Sequence, residues 1–323
     1  MGRVVGSLIR AAALVAWWPA LAQQPGEAPV PFQVDVQLVR VLATVKAPTG
    51  ELVGSLGKSD YEVWDTSVKQ EISVFERTTA QPLSVSLLVD TSASTAKDLR
   101  YELDSSARFL RSLFAGGNDE DTAALYRFSY DVELLSSFTR RLGRLESALR
   151  ALKPDSGTSL YDAIYLASRD LEDRGGRHVI VVVTDGGDTT SAKTFHHALE
   201  AAQLANAVIY SILVMPITND AGRNIGGENA LTTLAVETGG RVFVPSYGAE
   251  LDAAFTEIIR DLRTQYLLAF YPRNLAPTTE RFHRLYVKVR GPYLQVQTRS
   301  GYYGGSSGPA GKGAGKRAPW GGR

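Results

Sequence analysis

Three short segments of this chain concentrate side-chain oxygens: Asp90-Thr91-Ser92-Ala93-Ser94, Ser156-Gly157-Thr158-Ser159 and Thr184-Asp185-Gly186-Gly187-Asp188. They offer carboxylates and hydroxyls, with no imidazole and no thiol. Hard oxygen donors of this kind suit Mg²⁺, Mn²⁺ or Ca²⁺ rather than Zn²⁺ or Cu²⁺. An ion held by few charged ligands and several neutral hydroxyls stays electron-poor and incompletely enclosed. An acidic group from a partner could then complete its shell, and Mg²⁺, the favoured ion, commonly keeps water or an external ligand. Each segment also has a purely structural reading. Asp90, Ser92 and Thr158 are residue types that cap helices, and Asp185-Gly186-Gly187 is turn chemistry. The case for a metal rests on the three occurring together at successive strand ends.

The surrounding pattern supplies those strand ends. Residues 83–89 (LSVSLLV) and 178–184 (HVIVVVT) are continuous apolar runs, as in central strands of a sheet covered on both faces. Leu99, Leu103, Ala107, Leu110 and Phe114 recur at spacings of three and four, which predicts a helix, and Gly116-Gly117 ends it. Strands are expected at 122–129, 132–138, 207–214 and 241–244. Helices are expected around 142–152 and at 160–171, 194–206, 229–238 and 250–264. This alternation predicts an α/β fold with a doubly wound, mostly parallel sheet. In such sheets ligands bind beyond the carboxyl ends of the strands, at the point where strand order reverses.

The flanks differ. Residues 32–46 alternate apolar and polar, short strands follow near 61–65 and 71–76, and no helical period appears before about residue 96. From Tyr266 the chain returns to strands, at 266–271, 283–290 and 293–299. We expect residues 32–78 and 266–303 to form one flanking β-sandwich around an inserted domain at 82–265. Inserted domains are tolerated because domain termini often lie close together.

The pattern Asp90-x-Ser92-x-Ser94, the downstream Thr158, and Asp185 after an apolar strand resemble the metal-ion-dependent adhesion site (MIDAS) of von Willebrand factor type A (VWA) domains. The resemblance implies a VWA/Rossmann-like fold in which Asp90 holds the metal mainly through water and Ser92 and Ser94 bind it directly. Thr158 would bind directly or through water according to an open or closed state, and Asp185 would act as an outer or water-mediated carboxylate. Ala93 stands where many members have Gly, which matters only if that position needs a positive φ. The segments "GELVGSLGKSDYEVWD…EISVFE", "TSLYDAI", "ETGGRVF" and "LRTQYLLAFYP…FHRLYVKV…TRSGYY" are similar to the VWFA-related Acidobacterial domain family over roughly residues 33–303.

Other polar features point less clearly to function. Asp188 is expected to hydrogen-bond within its loop, and Asp121 to be structural. His196 and His197 are adjacent, so they point apart, whereas a paired helical metal site needs i, i+4 spacing. Arg140, Arg141 and Arg144 are expected on a solvated helix face. Residues 222–227 (GRNIGG) lack the Gly-Lys-Ser/Thr ending of a phosphate loop and are expected to form a flexible loop near the metal edge. Tyr302 and Tyr303 are expected to pack at a strand end.

Composition and the two ends set the context. The chain of 323 residues is 44% hydrophobic and 21% charged, with a formal net charge of +1, so bulk charge selects neither nucleic acid nor an anionic membrane. It has no cysteine, which excludes disulfides, thiolate metal sites and thiol catalysis. Arg3 and Arg10, the apolar run 11–18 and Ala20-Leu21-Ala22 read as an export signal over 1–22, followed by a linker at 23–31. Residues 304–323 have the composition of a disordered tail. The expected location is periplasmic, cell-envelope or secreted.

The favoured function is a non-enzymatic, metal-dependent adhesion module whose protein partner presents an Asp or Glu carboxylate. One alternative is a structural scaffold of an envelope assembly in which the metal only stabilises loops. Another is a metal-dependent phosphohydrolase. Such enzymes commonly need a second carboxylate two residues beyond the nucleophilic Asp, and Ser92 stands there. No catalytic residue is expected.

Overall fold

Alternation of short and branched apolar residues drives the chain into strands at both ends and into a covered sheet in the middle. The computed structural model describes residues 38–77, 81–95, 98–214, 224–246, 248–276 and 280–304. The export signal, the linker and nearly all of the tail expected above lie outside these residues. Four strands come first: β1 (Val39–Lys46), β2 (Tyr61–Asp65), β3 (Val68–Gln70) and β4 (Val74–Arg77). The middle runs β5 (Leu83–Asp90), α1 (Leu99–Ala115), β6 (Thr122–Phe128), β7 (Val132–Thr139), α2 (Leu142–Arg150), α3 (Leu160–Glu172) and β8 (Arg177–Thr184). It continues with α4 (Phe195–Leu204), β9 (Ala207–Leu213), α5 (Ile225–Thr238), β10 (Val242–Phe243) and α6 (Ala249–Thr264). The last strands are β11 (Tyr266–Phe270), β12 (Phe282–Val289), β13 (Gln295–Gln297) and β14 (Gly301–Tyr303).

The central sheet has the order β10-β9-β8-β5-β6-β7, and all pairings are parallel except β6 with β7. Every residue of β5 is buried, as the continuous apolar run requires. Leu83, Val85, Leu87 and Val89 join a core with apolar residues of α1, α2 and α6. Leu88 and residues of β6 and β8 pack against α3, α4 and α5 on the other face. Each buried Leu or Val contributes about 1.5–3 kcal/mol of transfer free energy. Within the first of these cores, Phe109 of α1 and Phe255 of α6 stack at 4.8 Å between ring centroids.

The flanking strands form two four-stranded antiparallel sheets, β13-β1-β11-β4 and β14-β12-β2-β3. Each mixes strands from both ends of the sequence: β1 pairs β11 with Val39 opposite Phe270, and β2 pairs β12 with Val63 opposite Val287. Their inner faces share one core that includes Val41, Ala43, Val63, Tyr266, Leu268 and Val287. Two of these strands, β3 and β14, were not apparent from periodicity, because three-residue strands carry too few alternations. Buried Asp65 ties the second sheet together by accepting hydrogen bonds from Tyr302 Oη at 2.5 Å and from Thr66 Oγ1 at 3.0 Å.

Two expectations need correction. The segment 222–227 is not wholly a loop, because α5 begins at Ile225, with the Asn224 side chain accepting from Gly227 N at 2.9 Å. Nor is Arg140 simply solvated. It donates to the carbonyls of Asn118 at 2.6 Å and Phe114 at 3.1 Å, closing the end of α1. Asp121 is structural as expected. It accepts from Leu83 N at 2.7 Å and Asn118 N at 2.9 Å, and pairs with Arg263 at 2.6 Å.

Among the described residues, no helix is long and apolar enough to cross a membrane.

Candidate functional site

The strand order reverses between β5 and β8: from β5 the chain proceeds outward to β6 and β7, then returns to lay β8 on the opposite side. Val89 lies opposite Val183, so both strands end level with each other. That crevice receives Asp90 from the end of β5 and Asp185 from the residue after β8, the location open α/β sheets use for ligands.

Hydrogen bonds lock the three oxygen-rich segments around it. Thr184 Oγ1 donates to Asp90 Oδ2 at 2.6 Å, and Ser92 N donates to Asp90 Oδ1 at 2.8 Å. The hydroxyls of Ser92 and Ser94 are 3.1 Å apart, and Ser94 also hydrogen-bonds Asp185. Asp155 N donates to Thr91 O at 2.7 Å, bringing in the segment before α3. Thr158 is then held from several sides. Its N–H donates to Thr189 Oγ1 at 2.9 Å, its carbonyl accepts from Thr189 N at 2.8 Å, and neighbouring Ser159 N donates to Ser129 O at 2.7 Å. Asp90 thus ends β5, and Ser92, Ser94, Thr158 and Asp185 stand on loops at the same edge of the sheet.

The simple capping readings do not survive. Helix α1 starts nine residues beyond Asp90, with Asp98 at its N-cap, and the N-cap of α3 is Ser159; neither cap residue makes a side-chain capping bond. Asp90 and Thr158 therefore serve neither helix as its cap. Ala93 is not among the residues with positive φ, so the place many relatives give to Gly costs this chain no backbone strain. Gly157 does need its freedom: its φ is +79°, and a Cβ there would lie 2.9 Å from Tyr130 Cα. Asp188 keeps to its loop, accepting from Tyr161 N at 3.2 Å and from the Ser191 hydroxyl.

Burial dominates the electrostatics of these carboxylates. Asp90 is fully buried. Burial pushes its carboxyl up to about 6 from 3.8, against the opposing hydrogen bonds from Thr184 and Ser92. Asp185 is also raised by burial, with the Ser94 hydrogen bond opposing. A buried carboxylate is costly unless it is paired, hydrogen-bonded or coordinated to metal. Burial falls from Asp90 through Ser92 to exposed Ser94, so the site opens to solvent on the hydroxyl side. Among the described residues, no three Asp, Glu, His or Cys side chains form a closed metal cluster. A cation here would need the hydroxyls. The donor set fits a hard divalent ion.

Sequence reasoning passed over two residues at this site. Thr184 was quoted as part of its segment without a role, yet its hydroxyl is a direct partner of Asp90. Glu102, in the first turn of α1, belongs to none of the three segments. It is fully buried, and both carboxylate oxygens lack a hydrogen-bond partner. Position within the apolar stripe of α1 was the available signal, and an acidic residue there reads as solvated until the helix is packed.

Residues 85–187 match the family model of the von Willebrand factor type A domain. The matched segment begins in β5 and ends just after β8, so it contains all five candidate ligands of the VWA pattern. Comparison with curated proteins finds no match. Several solved structures resemble part of the chain. The conserved hypothetical protein BatB from Bacteroides thetaiotaomicron is 20% identical, with 56% of this chain and 97% of that chain covered, at a TM-score of 0.45. An aerotolerance-related membrane protein from Bacteroides fragilis is 21% identical, with 56% and 98% covered, at 0.44. The vWF domain of the type V pili tip protein Mfa5 from Porphyromonas gingivalis is 16% identical, with 56% and 95% covered, at 0.43.

The close packing of these loops suggests a test at a residue that is not itself a candidate ligand. Gly227 of α5 packs on Gly187, where a Cβ would collide with Gly187 Cα. Gly227→Ala is expected to destabilise the fold by about 1–3 kcal/mol, the usual range for overpacking. It is also expected to weaken Mg²⁺ binding by displacing the loop that carries Asp185. Thermal melts with and without Mg²⁺ measure both effects, and an unchanged melting temperature would refute the packing argument.

Proposed function

We propose that this chain is an exported protein-interaction module that binds its partner through a divalent metal ion, Mg²⁺ first and Mn²⁺ or Ca²⁺ as alternatives. The VWA domain over 85–187 supports a role in protein interaction. The observation that supports the metal-dependent reading is the hydrogen-bonded set Asp90, Ser92, Ser94 and Asp185 at the switch point, graded from a buried carboxylate to an exposed hydroxyl, with Thr158 on the neighbouring loop. Ser92 and Ser94 would bind the ion directly, with Asp90, Thr158 and Asp185 supporting it directly or through water. The ion would polarise and anchor an incoming carboxylate, and the neutral hydroxyls would leave it enough positive charge to do so.

The rim supplies selectivity. Tyr101 at the start of α1, Tyr130 in the turn beside Gly157 and Ile225 at the start of α5 are 57%, 70% and 66% exposed. They flank the loops that carry the ligands. A partner loop that presents an Asp or Glu amid apolar residues matches both features, since aromatic anchors dominate many interfaces. Recognition needs no turnover, and the second carboxylate expected of a phosphohydrolase is replaced by Ser92. We place the module in the envelope or outside the cell, and take residues 82–265 as its functional unit.

Calorimetric titration of the purified chain with Mg²⁺ and Mn²⁺ tests the metal. At a free ion concentration a hundred times Kd, binding should stabilise the fold by about 2.7 kcal/mol. Pull-down from the native cell envelope, in Mg²⁺ and then in EDTA, tests the adhesion. The proposal predicts capture that EDTA abolishes while circular dichroism stays unchanged. Capture indifferent to EDTA, or a chain that binds no divalent ion, would sink it. A metal that raises the melting temperature without affecting capture would favour a scaffold instead.

A further inference from the structure

Helix α1 buries an acid without giving it a hydrogen-bond partner. Glu102 is fully buried, beside Leu99 and three residues before Ser105, on the side of α1 that faces inward. Both of its oxygens lack a hydrogen-bond donor. The charged side chains acting on it are Asp90, Asp185 and Asp98, and all three are acidic. Leaving a carboxylate unpaired in such a place costs several kcal/mol, and like charges add to that cost. Helix propensity does not demand Glu here, since Leu or Met is nearly as good. Glu102 stands in the first turn of α1, where the helix dipole favours an acid, but by less than the cost of burying it unpaired.

Without a cation the acid must hold on to its proton, and burial raises its carboxyl accordingly; a cation on the side of Asp90 and Asp185 would let it ionise and would offset the repulsion at the same time. We infer that Glu102 is a further metal-site residue, a third carboxylate that supports the divalent ion from the protein interior by accepting hydrogen bonds from its water. This rests on the metal reading proposed above and extends it beyond the VWA pattern, to a residue on a helix instead of a loop. The outer position follows from the lack of a closed three-carboxylate cluster among the described residues. Such supporting groups typically change metal affinity by about 10–100-fold.

The arrangement makes two predictions of opposite sign. Glu102→Gln should bind Mg²⁺ and Mn²⁺ at least about tenfold more weakly than the wild type. The same variant, free of metal, should melt higher than the wild type, because no buried acid need hold a proton or carry a repelled charge. A purely structural acid would give the reverse, with affinity kept and melting temperature lowered. Glu102→Leu, apolar and similar in size, repeats both measurements should the amide be poorly tolerated. Calorimetry with each ion alone and metal-free thermal melts provide the readings. Affinities of both variants within twofold of wild type would overturn the role of Glu102 while leaving the metal site standing. A wild-type chain that binds neither ion would instead overturn the metal reading, and this inference with it.

Discussion

Asp90→Asn is expected to abolish divalent-metal binding and metal-dependent capture while making the metal-free protein more stable at neutral pH. The two effects share one cause. Asp90 is fully buried at the end of β5, and burial raises its carboxyl to about 6 from 3.8. The folded chain therefore holds that proton more tightly than the unfolded chain does. Below about pH 4 the group is neutral in both states and costs nothing. As pH rises from about 4 to about 6 the unfolded chain gives up its proton while the native state keeps it, so stability falls; above about 6 the native state carries the buried charge and the fall levels off. The shift of about two units corresponds to about 3 kcal/mol, fully felt above pH 6. Asparagine removes the charge and keeps the shape, so metal-free Asp90→Asn should gain up to about that amount at pH 7. The loss of stability between pH 4 and 6 should become shallower without vanishing, because Asp185 and Glu102 are raised in the same direction. In the wild type, added Mg²⁺ should reverse the slope by pairing the carboxylates. Denaturant melts at pH 5 and pH 7, with Mg²⁺ and with EDTA, measure all of this. Removing one charged partner from a buried site costs about 3–5 kcal/mol, so Mg²⁺ affinity should drop at least a hundredfold. A variant that retains Mg²⁺ affinity, or one less stable than wild type at pH 7 without metal, would refute the account.

Asp121→Ala should unfold the protein more readily and leave the ligand chemistry alone. This carboxylate is fully buried at the opposite end of the sheet. It accepts from Leu83 N, where β5 begins, from Asn118 N after α1, and from Arg263 near the end of α6. Alanine leaves a largely buried guanidinium unpaired and two backbone donors without acceptors. Loss of a buried pair by removal of one partner costs about 3–5 kcal/mol, which lowers the melting point by roughly 10 °C for a domain of this size. Any Mg²⁺ affinity should remain near that of the wild type in the fraction still folded. A melting point within a degree or two of wild type would show that the junction of β5, α1 and α6 does not depend on Asp121.

The two variants separate the ends of β5. One end carries a charge that the fold tolerates for the sake of the site. The other carries a charge that the fold needs. Acid alone would relieve the first and weaken the second, so the wild type's pH profile mixes both effects. Neither variant can be interpreted from wild-type data without the other.

Much of this was legible in the residues themselves. The runs at 83–89 and 178–184 contain almost nothing but apolar side chains, and only a sheet covered on both faces buries such runs completely. Asp90 and Asp185 stand at their carboxyl ends by sequence alone, so their presence at the sheet edge followed directly. The five candidate ligands could be named because the Asp-x-Ser-x-Ser pattern, Thr158 and Asp185 resemble the VWA metal site, and strand ends in a doubly wound sheet are where such a site would lie. The start of α5 was misjudged because Gly226-Gly227 favours a loop locally. Close packing of Gly227 on Gly187 is a tertiary contact with no local signature, and it selected glycine inside a helix. The strands β3 and β14 escaped because three residues cannot display a period. Glu102 escaped for a deeper reason. A sequence lists an acid four residues into a helix pattern, and only packing determines whether that acid meets water or the carboxylates of Asp90 and Asp185. The residue types alone thus determined the class of chemistry available, hard oxygen donors for a divalent ion. The tertiary fold decided which carboxylates lie buried together, because desolvation and charge repulsion depend on distance in space.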